Sequence, residues 1–278
     1  MSQLVRAVRA AGEPEVSRRR VFDAAFFGVA ALCFAASAAA TIAGSASMSA
    51  MGEMPMPGGW TMSMAWMPMC GQTWAGATAS FLGMWIVMMV AMMLPSLTPM
   101  LWRYRQAVGG TGGTRLGRLT VLVGVGYFAV WTAFGIAAFV SGVALAALAM
   151  RLPALARAVP VALGVVVLIA GALQCTAWKA RQLECCRAAP GHCGGLPADA
   201  GTAWRHGLRL GLHCGYCCAG LTVVLLVVGV MDLRAMALVT AAITGERLAP
   251  GGERVAQVIG AVVVGAGVVL IARATGLG

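Results

Sequence analysis

The hydrophobic residues of this chain are gathered into long runs that short polar segments separate. A helix needs about 20 apolar residues to cross a bilayer, and most of these runs reach that length. The pattern therefore predicts an all-α, polytopic bundle that crosses the membrane with seven helices. The predicted spans are 21–43, 79–101, 119–149, 159–178, 208–230, 235–248 and 255–273.

Two of these runs have alternative interpretations. The run at 235–248 is short for a span, and a re-entrant or mismatched segment there would leave six spans in all. The run at 21–43 is followed by small residues at 43–47, a pattern that also precedes the cleavage site of a signal peptide. Either version of the first run exports the segment that follows it.

Composition agrees with a membrane protein. Hydrophobic residues make up 60% of the chain and charged residues 10%, against about 25% charged residues in an ordinary soluble domain. The net charge of +11 does not indicate nucleic-acid binding, because the basic residues stand between apolar runs.

The distribution of basic residues predicts the orientation. With the amino terminus inside, 16 of the 20 basic residues fall in inner segments, as the positive-inside rule requires. We therefore expect a multi-pass protein of a bacterial cytoplasmic membrane. Residues 1–20 form a basic cytoplasmic segment and 21–278 a single transmembrane domain, with an outer methionine-rich loop at 44–78 and an inner cysteine-rich loop at 179–207.

Methionine crowds the outer loop, with eight methionines between Met48 and Met69. Three Met-x-Met pairs stand among prolines that interrupt a long helix. In an extended chain both side chains of such a pair point to the same face, so several thioethers can converge on one soft ion such as Cu(I). The predicted ligands are Met54, Met56, Met62, Met64, Met67 and Met69. Methionine also fills irregular gaps, so an amphipathic lid is the alternative.

The next apolar run, at 79–101, is also rich in methionine. Met84, Met88 and Met92 are spaced four residues apart and form a stripe on the predicted helix, with Met89 and Met93 beside it. Such a stripe could pass a soft ion inward, and we include Met88 and Met92 among the predicted ligands. Packing in the core is the alternative function of the stripe.

Cysteines cluster at the inner side of the predicted bundle. In a helix Cys214, Cys217 and Cys218 share a face, and His213 borders it. Cys185 and Cys186 in the preceding segment could complete a site for Cu(I). Because the segment is predicted to be cytoplasmic, its thiols are expected to be reduced.

Glycines follow the same helix at every fourth position. Gly207, Gly211 and Gly215 would allow a neighbouring membrane helix to approach closely. A close approach of this kind could bring ligands from two segments together.

Other chemistry remains open for the cysteines. Cysteine and histidine in groups of four also bind structural zinc, so zinc is the alternative metal. Cys214 and Cys217 form a Cys-x-x-Cys motif that could act in thiol redox chemistry without a metal.

Several motifs also resemble a known family. They are the Met54–Met64 block, the methionine-rich helix ending at Pro95, the segment from Leu173 to Arg187, and the glycine- and cysteine-containing run at 211–218. Together they resemble the bacterial family of predicted metal-binding integral membrane proteins of unknown function, over about residues 48–265. The resemblance implies a role with a metal.

The sequence thus predicts a membrane protein that binds Cu(I) and transfers or transports it between the outer methionines and the inner cysteines. Its expected partners are the lipid bilayer, a periplasmic or other extracytoplasmic copper carrier, and a second copy of the chain in an oligomer, with no nucleic acid. A copper-dependent membrane oxidase or oxygenase, a subunit of one, and a membrane thiol oxidoreductase are the alternatives. The sequence leaves open whether the protein is an enzyme.

Overall fold

A computed structural model of the protein describes residues 2–50, 52–63, 66–68, 71–108, 112–187, 197–230 and 232–276, without the side chains of 2–20, 49, 50 and 53. Ten elements follow one another in these ranges. They are α1 (Ser2–Ala50), β1 (Glu53–Met56), β2 (Trp60–Ser63), α2 (Trp74–Ala107), α3 (Gly113–Arg151), α4 (Pro153–Gln174), α5 (Ala177–Arg187), α6 (Ala200–Val228), α7 (Leu233–Leu248) and α8 (Gly252–Ala274).

The predicted all-α bundle is confirmed. Within the described ranges, six helices are long and apolar enough to cross a membrane: α1 from Val21 onward, α2, α3, α4, α6 and α8. The segment predicted as the short span at 235–248 forms α7, which has 16 residues. A membrane span needs about 20 residues, and α7 is shorter than that. The structure therefore favours six membrane-spanning helices over seven.

The segment predicted as an outer loop at 44–78 contains regular structure. Helix α1 continues to Ala50, and β1 and β2 then form an antiparallel hairpin in which Met54 pairs with Met62. Gly58 and Gly59 adopt positive φ values of 105° and 76° at its turn, a conformation that residues with a Cβ rarely adopt. The prolines thus prevent a helix here but permit a hairpin.

The segment predicted as an inner loop at 179–207 is also largely helical. Helix α5 occupies its first part, and α6 begins at Ala200. The Asp199 side chain accepts a hydrogen bond from the Thr202 N–H at 2.8 Å and caps the start of α6. Hydrogen bonds from the Thr202 side chain and from the Thr202 N–H hold the pKa of Asp199 below its usual range.

Glycine permits the close packing of α3 against α6, as the every-fourth pattern predicts. A Cβ at Gly207 would press on the backbone of Val123, and a Cβ at Gly211 would lie 2.8 Å from the Tyr127 carbonyl oxygen. Gly215 faces the ring of Phe134. This packing brings the cysteine-bearing face of α6 next to Tyr127 on α3.

Helix α2 runs unbroken through Pro95 and Pro99. Each proline lacks an N–H and leaves a carbonyl without its helical partner. The hydroxyls of Ser96 and Thr98 donate to the carbonyls of Met93 and Leu94 in this stretch, so these two hydroxyl groups are hydrogen-bonded within the helix. The helix can therefore carry side chains from the hairpin end of the bundle to the cysteines of α6.

Replacing Gly207 by alanine tests the α3–α6 contact. Because the new Cβ meets backbone rather than a movable side chain, the helices must separate, and we expect a loss of about 1–3 kcal/mol in unfolding free energy. The readout is the thermal unfolding midpoint of the detergent-solubilised protein. Gly124→Ala on α3 is the control, since nothing lies within 4 Å of its Cβ position. Equal midpoints for the two variants would contradict the close contact.

Candidate functional site

The hairpin methionines gather on one face. Because alternate residues of a strand point the same way, Met54, Met56 and their cross-strand neighbour Met62 share the face that covers one end of the bundle. Met56 and Met62 are buried there against Ala146, Ala149 and Ala156, and Met54 and Met67 pack beside them. Trp60 fastens the hairpin by donating to the Ala156 carbonyl at 2.9 Å. Met64 and Met69, which the sequence also predicts as ligands, lie outside the described residues.

The methionines of α2 are buried in the core that contains the cysteines. Met88, Met89, Met92 and Met93 are each at most 3% exposed. Trp66 packs against both this core and the hairpin face. The structure therefore joins the two methionine groups through aromatic residues rather than by direct sulfur contact.

Four cysteines from two helices meet inside the bundle. Cys214, Cys217 and Cys218 of α6 are buried, and Cys186 of α5 is buried against them. The Cys214 and Cys218 sulfurs lie 3.8 Å apart, and Cys186 hydrogen-bonds to Cys217. This hydrogen bond and burial raise the pKa of the Cys186 thiol above its ordinary value.

Two predicted ligands lie apart from this cluster. Cys185 is exposed, because its neighbour Cys186 takes the inward-facing position on α5. The side chain of His213 is also exposed, and only its backbone carbonyl, 3.5 Å from the Cys186 sulfur, borders the cluster. The expectation that these two side chains join the buried thiols is therefore not met.

Polar side chains reach Cys214 from two other helices. The Tyr127 hydroxyl of α3 donates to the Cys214 sulfur at 2.9 Å, and Arg247 of α7 donates to it at 3.0 Å. Arg247 also reaches Ser96 and the Met100 thioether of α2, at 2.9 and 3.1 Å. Met100 and Cys214 thus flank the same guanidinium group.

A buried ion pair lies beside Cys217. Lys179 and Glu246 are 2.7 Å apart and at most 2% exposed. Gln174 donates to Glu246 at 2.7 Å, and Lys179 donates to the Cys217 carbonyl at 2.5 Å. These bonds tie α4, α5 and α7 to the turn of α6 that carries the thiols.

Sequence reasoning missed most of these polar neighbours. Glu246 and Arg247 stand at the end of the short predicted span at 235–248 without a predicted role, and both are buried. The available signal was their position next to a span in a chain with few carboxylates, since ionisable groups within a membrane are functional candidates by default. Met100 could have been found as the continuation of the α2 face that carries Met89 and Met93.

The four buried cysteine sulfurs form one series of contacts, in which Cys218 hydrogen-bonds to both Cys214 and Cys217, and Cys217 also to Cys186. Across the described part of the chain, no group of three or more His, Cys, Asp or Glu side chains is arranged to hold a metal ion. The Cys214–Cys218 pair and the adjacent Cys186–Cys217 pair offer two soft ligands each, with the Met100 thioether nearby. Thiolates and thioethers select soft ions such as Cu(I), which needs few ligands.

One comparison with known proteins gave a match. The model of the PpoB2 family, described as copper chaperones, matches residues 82–270. The chain belongs to the PpoB2 copper chaperone family. The match contains the α2 methionines, the four buried cysteines and their polar neighbours, and it begins after the hairpin. No curated protein and no solved structure matches the chain.

Removing one partner of the ion pair should destabilise this chaperone strongly. Glu246→Gln leaves the Lys179 ammonium buried without its counter-charge, and we expect a loss of about 3–5 kcal/mol in unfolding free energy. The double replacement Lys179→Met with Glu246→Leu should recover most of the loss, because no charge remains uncompensated. Unfolding in detergent measures both, with the exposed Glu253→Gln as control. A double variant as unstable as Glu246→Gln would contradict the electrostatic explanation.

Proposed function

We propose that this chaperone carries copper as Cu(I), held by the buried thiols of α6 with Cys186 of α5. The observation that carries the proposal is the Cys214–Cys218 contact of 3.8 Å, in a buried cluster that also contains Cys186 and Cys217, with the Met100 thioether on the other side of Arg247. A soft ligand set of this kind, inside a member of a copper chaperone family, supports Cu(I) over a harder ion.

Binding of the cargo is a ligand exchange without electron transfer. The bonds between Cu(I) and the ligands of its donor break, two cysteine S–H bonds break, two Cu–S bonds form, and two protons leave to the solvent, while copper remains Cu(I). Burial protects the bound ion from water and competing ligands. It also means that release requires either an incoming ligand that enters the bundle or a movement of α5 away from α6.

The methionines supply a route for the ion. The hairpin face formed by Met54, Met56 and Met62 would receive Cu(I), and the buried methionines of α2 would lead it toward Met100 and Cys214. Thioethers suit an entry site on the oxidising side of the membrane because they do not form disulfides. Trp66, Phe81 and Trp85 lie between the two groups, with ring centroids 5.4 and 6.0 Å apart along the series.

The distribution of basic residues supports the orientation of this route. We assign the hairpin to the extracytoplasmic side of a bacterial cytoplasmic membrane and the amino terminus to the cytoplasm. An extracytoplasmic copper carrier is then the partner from which the hairpin would receive its ion. Reporter fusions to the amino terminus and to the hairpin would test this orientation.

The cysteine site is tested with the Cys214→Ser/Cys218→Ser variant under anaerobic conditions. Competition against a chromogenic Cu(I) chelator should show an affinity loss beyond the roughly 10- to 100-fold that outer-shell changes cost, because two ligands are removed. Cys33→Ser, which alters an exposed cysteine of α1, is the matched control. Undiminished affinity in the double variant would refute the site.

The same samples separate copper binding from thiol redox chemistry. A thiol oxidoreductase would form a mixed disulfide with its partner, which a Cys217→Ser variant would trap. Zinc rather than copper in the purified wild-type protein would instead support a structural metal. Either result, without Cu(I) affinity, would replace the proposed function.

The hairpin is tested by changing Met54, Met56 and Met62 together to leucine, which preserves size and hydrophobicity. We expect Cu(I) affinity at the cysteines to stay the same and loading from a Cu(I) donor on the hairpin side of proteoliposomes to slow several-fold. Met150→Leu, at an exposed methionine of α3, is the control. Wild-type loading rates in the triple variant would show that the ion enters elsewhere.

A further inference from the structure

Arg247 is a buried cation without a carboxylate partner among the described residues. Its side chain is 3% exposed, and its hydrogen bonds go to the Ser96 hydroxyl, the Met100 thioether and the Cys214 sulfur. The adjacent Glu246 does not neutralise it, because that carboxylate pairs with Lys179. Its Nε atom is buried and has no hydrogen-bond partner in the described part of the chain.

A nearby negative charge would stabilise a guanidinium cation that is buried in this way. Burial of an unpaired charge in an apolar medium costs free energy that neutral acceptors recover only in part. Cys214, a proposed ligand, would become an anion on binding Cu(I), and its sulfur faces two donors, Arg247 and the Tyr127 hydroxyl. Arg247 therefore lies where a copper-bound thiolate would carry its negative charge.

We propose that Arg247 balances the charge of the copper–thiolate complex. This inference rests on the proposed function. Cu(I) with two cysteine thiolates carries one net negative charge, and Lys179 with Glu246 contributes none. The guanidinium cation makes the whole group neutral, so that the complex can form inside the bundle. Arg247 therefore acts through charge on a site whose ligands are cysteines.

Three substitutions distinguish charge from hydrogen bonding and shape. Arg247→Lys keeps the charge and loses the planar fork, Arg247→Gln keeps hydrogen bonding and loses the charge, and Arg247→Met keeps only the volume. If Arg247 acts through its charge, the Arg247→Lys variant retains most of the Cu(I) affinity. The Arg247→Gln and Arg247→Met variants each lose about tenfold or more in affinity, as expected for a close buried charge pair. Arg254→Met, at an exposed arginine of α8, is the control.

Cu(I) affinity is measured by chelator competition on the full-length protein in nanodiscs, together with thermal unfolding with and without Cu(I). Removal of an uncompensated charge should leave the metal-free Met variant folded, and Cu(I) should raise its unfolding midpoint less than that of the wild type. Equal affinities across the series, a Gln variant that outperforms Lys, or neutral variants that fail to fold would overturn the charge-balancing role. A wild type that binds no Cu(I) at its cysteines would overturn the proposed function itself.

Discussion

The Lys179–Glu246 ion pair is the interaction around which the rest of the site is arranged. In an apolar bundle a charged pair is tolerated only where both partners are held closely and their remaining hydrogen-bonding groups are occupied. Gln174 and the Cys217 carbonyl meet that condition. The pair thereby fixes where α5 and α7 contact α6. It also places the next residue, Arg247, against Cys214, so the charges and the thiols share one location for a physical reason.

The fold was largely predictable from sequence because the bilayer imposes a strong length rule on apolar runs. Proximity of Cys214, Cys217 and Cys218 followed from helical spacing, and the close α3–α6 contact from the glycines at every fourth position. Those predictions concern residues on a single helix. The position of Cys186 instead of Cys185, and the outward side chain of His213, depend on how two helices rotate against each other, which spacing along one helix does not determine.

The methionines of α2 also show that spacing along one helix does not determine which face meets its neighbours. Their most visible spacing is every fourth residue, at Met84, Met88 and Met92, but such a series winds slowly around the helix. Positions i, i+4, i+7 and i+11 stay on one face, and these are Met89, Met93, Ser96 and Met100. Ser96 and Met100 contact Arg247, so this second series is the one that leads to the cysteines. The sequence alone does not show which of the two methionine series faces the cysteines. The position of Arg247 in the structure shows that it is the second.

The two sulfur groups differ in charge, and that difference gives the proposed transfer a direction. Neutral thioethers at the hairpin would leave the positive charge of Cu(I) uncompensated, so they would hold the ion only weakly. At the buried thiols two negative ligands and the Arg247 cation would bring the total charge of the proposed complex to zero, and the low dielectric would then strengthen each Cu–thiolate interaction. The aromatic side chains of Trp66, Phe81 and Trp85 separate the two groups and offer the ion no strong ligand along the way. An ion that passed them would therefore move from a weak, uncompensated site to a strong, neutral one, and its return would require breaking that neutral complex.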